Sequence, residues 1–96
     1  MNRNYILSLL AQYKQNNLEK YGIENIGIFG SVARNEATDS SDVDICIKTK
    51  TPDLFMLVHI KEELQNLFHK SVDIVRLRKR MNPYLKKRID KEAIYV

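Results

Sequence analysis

Cysteine is nearly absent from this 96-residue chain, with Cys46 the only one. That excludes an intrachain disulfide, and nothing points to an oxidising compartment. Tryptophan is missing altogether, and long apolar runs are missing too. The stretch from Ile6 to Leu10 is too short and too interrupted for a signal segment, and no run approaches the ~20 residues of a membrane span. A cytoplasmic location is therefore expected. Three glycines and two prolines leave no linker, repeat or low-complexity tract. The length predicts one domain over residues 1–96. Such a chain buries roughly 60–70% of its unfolded surface, enough for one modest core and little else.

What is present is ordinary in amount and uneven in placement. An apolar fraction of 44% with 29% charged residues suits a globular protein. The net charge of +4 comes from one end. Residues 70–96 hold nine Lys/Arg against three acids, and the first 69 hold seven against nine. The basic end is a candidate surface for an acidic partner, nucleic acid or nucleotide phosphates.

Periodicity gives an alternating order of helices and strands. Ile6, Leu9, Leu10 and Tyr13 recur at helical spacing and predict a helix over Asn4–Leu18, closed by a Gly22 C-cap. Glu24–Phe29 reads as a strand, followed by a Gly30-Ser31 turn and a brief helix through Arg34. Residues 35–41 form a polar loop. A second strand is expected over Val43–Lys48. Thr51-Pro52-Asp53 resembles a helix start, with Thr51 as N-cap and Pro52 in first position, and Leu57, Ile60, Leu64, Leu67 and Phe68 form that helix's buried stripe. Ser71–Leu77 reads as a third strand containing Asp73. Asn82-Pro83 opens a last helix with Leu85 and Ile89 inward, and residues 93–96 end in a short strand.

The stretch from Ile26 to Ile47 carries the chemistry. An apolar strand stops abruptly at Gly30-Ser31, and a second strand opens with Asp42-Val43-Asp44. Alternate residues of a strand share a face, so the two carboxylates project side by side. Like charges at that spacing repel, and a dication relieves them. Oxygen-only ligands suit Mg²⁺ or Mn²⁺ rather than zinc. Gly30 lets backbone approach a ligand closely, and a helix beginning at Ser31 aims free N–H groups at an anion. A nucleoside triphosphate bridging the turn and the metal makes one coherent site.

Gly30-Ser31, ten residues, then Asp42-Val43-Asp44 resembles the signature of the DNA polymerase β-like nucleotidyltransferase superfamily. The fuller string Gly-Ser-Val-Ala-Arg with Ser-Asp-Val-Asp is similar to its smallest members, the minimal nucleotidyltransferase (MNT) antitoxins that pair with HEPN-domain ribonuclease toxins. The resemblance runs from about Ile26 to the last residue. It implies an α/β fold, a small mixed sheet with helices mainly on one face. It implies transfer of AMP from ATP, with two Mg²⁺ ions, to a tyrosine of a HEPN toxin. Asp73 matches the superfamily's third carboxylate, so the implied metal and catalytic set is Asp42, Asp44 and Asp73, with Asp73 as general base. Gly30, Ser31 and Arg34 are the implied nucleotide-binding residues. Family members often carry glycine where this chain has Asn35, a residue that tolerates the left-handed conformation. The extra domain with which larger relatives hold an acceptor is not expected here, so the acceptor should be another molecule.

Bland readings stand beside these. Asp73 can be an edge-strand acid facing water, Ser31 a simple N-cap, and Arg34 a solvated arginine. Ser41 can cap the loop or touch phosphate. His59 and His69 have no zinc spacing, and Cys46 reads as an inert core residue. Arg76–Arg80 is the densest positive run, without the aromatic pattern of a single-strand RNA binder. Two other functions stay open: an antitoxin that acts by stoichiometric binding alone, and a basic nucleic-acid-binding module using residues 76–88.

Overall fold

The computed structural model describes residues 2–96. Helix α1 (Arg3–Tyr21) runs a turn beyond its predicted end, held by Asn2 as N-cap and by Gly22 in the left-handed region at φ 62°. Strand β1 (Ile23–Phe29) leads into the short helix α2 (Gly30–Ala33), and β2 (Val43–Thr49) follows the polar loop. Helix α3 (Leu54–Phe68), β3 (Val72–Arg76), α4 (Pro83–Glu92) and β4 (Ile94–Tyr95) complete the order. One expected boundary is corrected. The N-cap of α3 is Asp53, whose carboxylate accepts the N–H groups of Phe55 and Met56. A carboxylate two residues nearer the apolar run satisfies those first-turn donors, so neither Thr51 nor Pro52 takes the predicted place.

The four strands lie in the order β3-β2-β1-β4. β1 is antiparallel to β2 and β4, whereas β2 and β3 are parallel and joined through α3. The sheet is therefore mixed, as a strand–helix–strand crossover inside an antiparallel set requires. Alternation divides its two faces. Ile26, Ile28, Val43, Ile45, Ile47 and Val72 pack with Ile6, Leu10 and Tyr13 of α1 and Ile60, Leu64 and Phe68 of α3. The opposite face has only α4, whose Ile89 packs on Phe29 and Cys46. Two long helices thus cover one face and one short helix part of the other. Asp44, on the same face as Cys46, lies beyond the cover of the larger core.

Among the described residues no helix is long and apolar enough to cross a membrane.

Candidate active site

The turn after β1 is where the backbone does something only glycine does easily. Gly30 has φ 73°, a conformation that costs other residues strain. A Cβ at this position would collide with Oδ2 of Asp44. The glycine therefore does two jobs, turning the chain and letting a carboxylate lie against the backbone. Phe29, whose backbone is extended, occupies the N-cap position of α2 and makes no side-chain cap bond. Ser31 is thus inside the first turn rather than the N-cap that the sequence allowed, and no hydrogen bond engages its hydroxyl among the described residues. One turn on, the backbone bends again at Asn35, which takes the left-handed region at φ 61°. That is the tolerance expected of asparagine there.

Register brings the acids together. Phe29 pairs with Asp44, and Asp44 with Asp73 on the parallel neighbour β3. Neighbouring residues in register point to the same face, so Asp44 and Asp73 stand side by side. Asp42 directly precedes β2 rather than lying in it, and it is exposed. Its field still reaches Asp44. Burial first, and then the charge of Asp73, push the Asp44 carboxyl above its ordinary range; Arg88 and Arg34 pull it back, and Asp42 adds to the rise. Asp73 itself is exposed, on the sheet's outer strand. That is the position of an edge-strand acid facing water, which needs no ligand to offset burial. What singles it out is its neighbour, not its desolvation.

The three carboxylates share one rim, but they do not converge. Among the described residues no group of three or more His, Cys, Asp or Glu is close enough to enclose a metal ion. The donor set nevertheless fits a hard dication. It is all oxygen, and burial first and then the charge of Asp73 raise the pKa of Asp44, a cost that a bound cation would relieve.

Two residues that sequence reasoning missed complete the site. Glu92, at the end of α4, accepts the Gly30 N–H through Oε2 at 3.0 Å and Arg34 Nη1 through Oε1 at 2.9 Å. Arg88 Nη2 lies 3.9 Å from the same carboxylate, and its guanidinium sits 5.8 Å from the centre of the Phe29 ring. Burial works against the Glu92 charge, but the Gly30 N–H and Arg34 outweigh it and hold the carboxyl below its usual range. The signal was present in the helical spacing. Leu85, Ile89 and Glu92 fall on one stripe of α4, which carries Glu92 inward with the apolar residues. Arg34 also pairs with Glu36 at 3.3 Å. The proposed phosphate donors Gly30 and Arg34 are thus engaged within the protein, whereas the Ser31 hydroxyl is free.

The remaining candidates fall away. Ser41 Oγ accepts the Thr38 N–H at 2.9 Å, which makes it the loop cap. Cys46 is fully buried. His59 and His69 are exposed, and His69 closes α3 in the left-handed region.

The sequence and the fold that carry this turn and rim have counterparts among known proteins. The family described as polymerase beta nucleotidyltransferase matches residues 12–96. The chain belongs to that family. This nucleotidyltransferase is 34% identical over 92 residues to the protein adenylyltransferase MntA of Thermococcus cleftensis, covering 95% of this chain and 92% of the relative. A solved structure of a candidate minimal nucleotidyltransferase superposes with a TM-score of 0.78 at 29% identity, covering 98% of this chain and 95% of the other. A likeness of fold alone links it to the complex of a tri-AMPylated Shewanella oneidensis HEPN toxin with an MNT antitoxin. There the TM-score is 0.72 at 18% identity, over 97% of this chain and 70% of the other.

Proposed function

We propose that this nucleotidyltransferase transfers AMP from ATP to a tyrosine hydroxyl of a partner HEPN ribonuclease toxin, and that it acts as that toxin's antitoxin in the cytoplasm. The observation that carries the reading is the pairing of Asp44 with Asp73 in register, beside a turn whose glycine lies against Asp44. Kinship with an adenylyltransferase and fold likeness to a toxin–antitoxin complex support the choice of nucleotide and partner.

Asp42, Asp44 and Asp73 are the residues to hold magnesium, two ions in this reading. Bound there, the ions would neutralise the triphosphate and stabilise charge on the entering and leaving oxygens. The chain's own groups do the rest. In this reading the Ser31 hydroxyl and the α2 amides after Gly30 would receive phosphate oxygens, with Arg34 one turn away. Asp73, exposed at the sheet edge, is where an incoming protein hydroxyl can approach, and its carboxylate accepts the hydroxyl proton. The new bond joins that oxygen to the α-phosphorus, the bond from the α-phosphorus to the bridging oxygen breaks, and pyrophosphate leaves. All of this fits one domain over residues 1–96, with the acceptor supplied in trans.

The test is intact-mass analysis of a co-expressed HEPN partner incubated with this protein, ATP and Mg²⁺. The expected result is mass added in AMP units, absent with the Asp42→Ala/Asp44→Ala double variant. An unmodified but inactive partner, still bound by the double variant, would instead establish neutralisation by contact alone.

A further inference from the structure

Glu92 has a position that packing alone does not require. Its side chain is only 14% exposed, although it carries a charge. Its backbone is pinned on both sides, by α4 before it and by β4, which pairs with β1, after it. Its carboxylate meets the first residue of the phosphate turn, Gly30, and the arginine one turn later, Arg34. Arg88, its third neighbour, reaches Glu92 from the preceding turn of α4.

We infer that Glu92 is a positioning residue of this site, holding the Gly30–Ser31 turn and Arg34 in the arrangement that receives phosphates. The inference rests on the nucleotide-transfer reading above and adds a residue to it. Two physical arguments carry it. Gly30 is buried, so its N–H needs an acceptor to hold the positive-φ turn, and Glu92 supplies one. Arg34 supplies the second: its Nη1 is fixed on Glu92 Oε1 at 2.9 Å while its Nε pairs with Glu36 at 3.3 Å, so loss of Glu92 frees one end of the guanidinium beside the turn.

The experiment uses the whole chain with Glu92→Gln and Glu92→Ala. Calorimetry measures AMP-PNP binding in the presence of Mg²⁺, electron paramagnetic resonance measures Mn²⁺ binding without nucleotide, and thermal melts follow the fold. The Gln variant keeps the shape and one acceptor oxygen but loses the charge, so it remains informative if the Ala variant does not fold. The expected result for Glu92→Gln is AMP-PNP binding about tenfold weaker, the scale of losing one charge-assisted hydrogen bond. The melting temperature should stay near that of the parent. Unchanged AMP-PNP binding would overturn the inference. So would tighter AMP-PNP binding, which would make Glu92 a competitor for the phosphate donors. Weak binding that only tracks a collapse in melting temperature would reduce Glu92 to a structural residue and overturn it too. A parent protein that binds neither probe would instead overturn the nucleotide-transfer reading.

Discussion

At the scale of single residues, Asp44 bears opposing demands. It is half-buried, faces Asp73 in register and lies against Gly30. Burial and Asp73 raise its pKa above the ordinary value of 3.8. The unfolded chain gives up this proton first, so between the ordinary pKa and the raised one the native state binds more protons. The group's contribution to stability is therefore present at low pH and is lost as pH rises through that window. At neutral pH the ionised carboxylate costs the native state free energy. Asp44→Asn should then melt higher than the parent near pH 7 in metal-free buffer. The gap should close as the pH falls below the carboxylate range. The same substitution should abolish nucleotide transfer. Melting curves at several pH values check the first claim, and a less stable variant at neutral pH would refute it.

At the scale of elements, the pairing of α1 with α3 rests on more than apolar contact. Tyr13 and Tyr21 of α1 both donate to Oε1 of Glu63 on α3, Tyr13 at 3.2 Å. Burial first, and then Glu63, raise the pKa of Tyr13, which keeps its hydroxyl a donor. Tyr13 is 7% exposed, so Glu63→Ala leaves its hydroxyl nearly buried and without its acceptor. The expected loss is about 2 kcal/mol of folding stability, read as a lower urea midpoint. Glu63→Gln retains an acceptor oxygen and should lose less. The helices and strands themselves were legible, because apolar spacing in Ile6–Tyr13 and Ile60–Phe68 and the turn residues Gly22 and Asn82 mark them. The start of α3 was not, because Thr51, Pro52 and Asp53 each suit a helix start, and only the contact of Asp53 with two amides decides among them.

At the scale of the molecule, the site joins three segments distant in sequence: the Gly30 turn, the Asp44–Asp73 pair and the end of α4. A ligand that bridges the turn and the acids should therefore stabilise the whole fold. At 100 times its dissociation constant it adds about 2.7 kcal/mol, which predicts a rise in melting temperature of roughly 10 °C or more. MgATP should produce that rise. ATP with a chelator should produce much less, and the Asp42→Ala/Asp44→Ala variant almost none. Differential scanning fluorimetry provides the check, and equal shifts with and without metal would remove magnesium from the site.

The sequence by itself determined the family and the element order, and it singled out Asp42 and Asp44 as candidates, because those depend on residue type and on spacing along one local segment. It also marked Gly30, since an abrupt Gly-Ser after an apolar strand has few other uses. Only the tertiary structure decided that Asp73 stands in register with Asp44, because strand register is set by the whole core and not by the strand's own residues. Tertiary structure alone also showed that Glu92 meets Gly30 and Arg34, 62 and 58 residues away. No local pattern encodes a contact made by packing the last helix across the far face of the sheet.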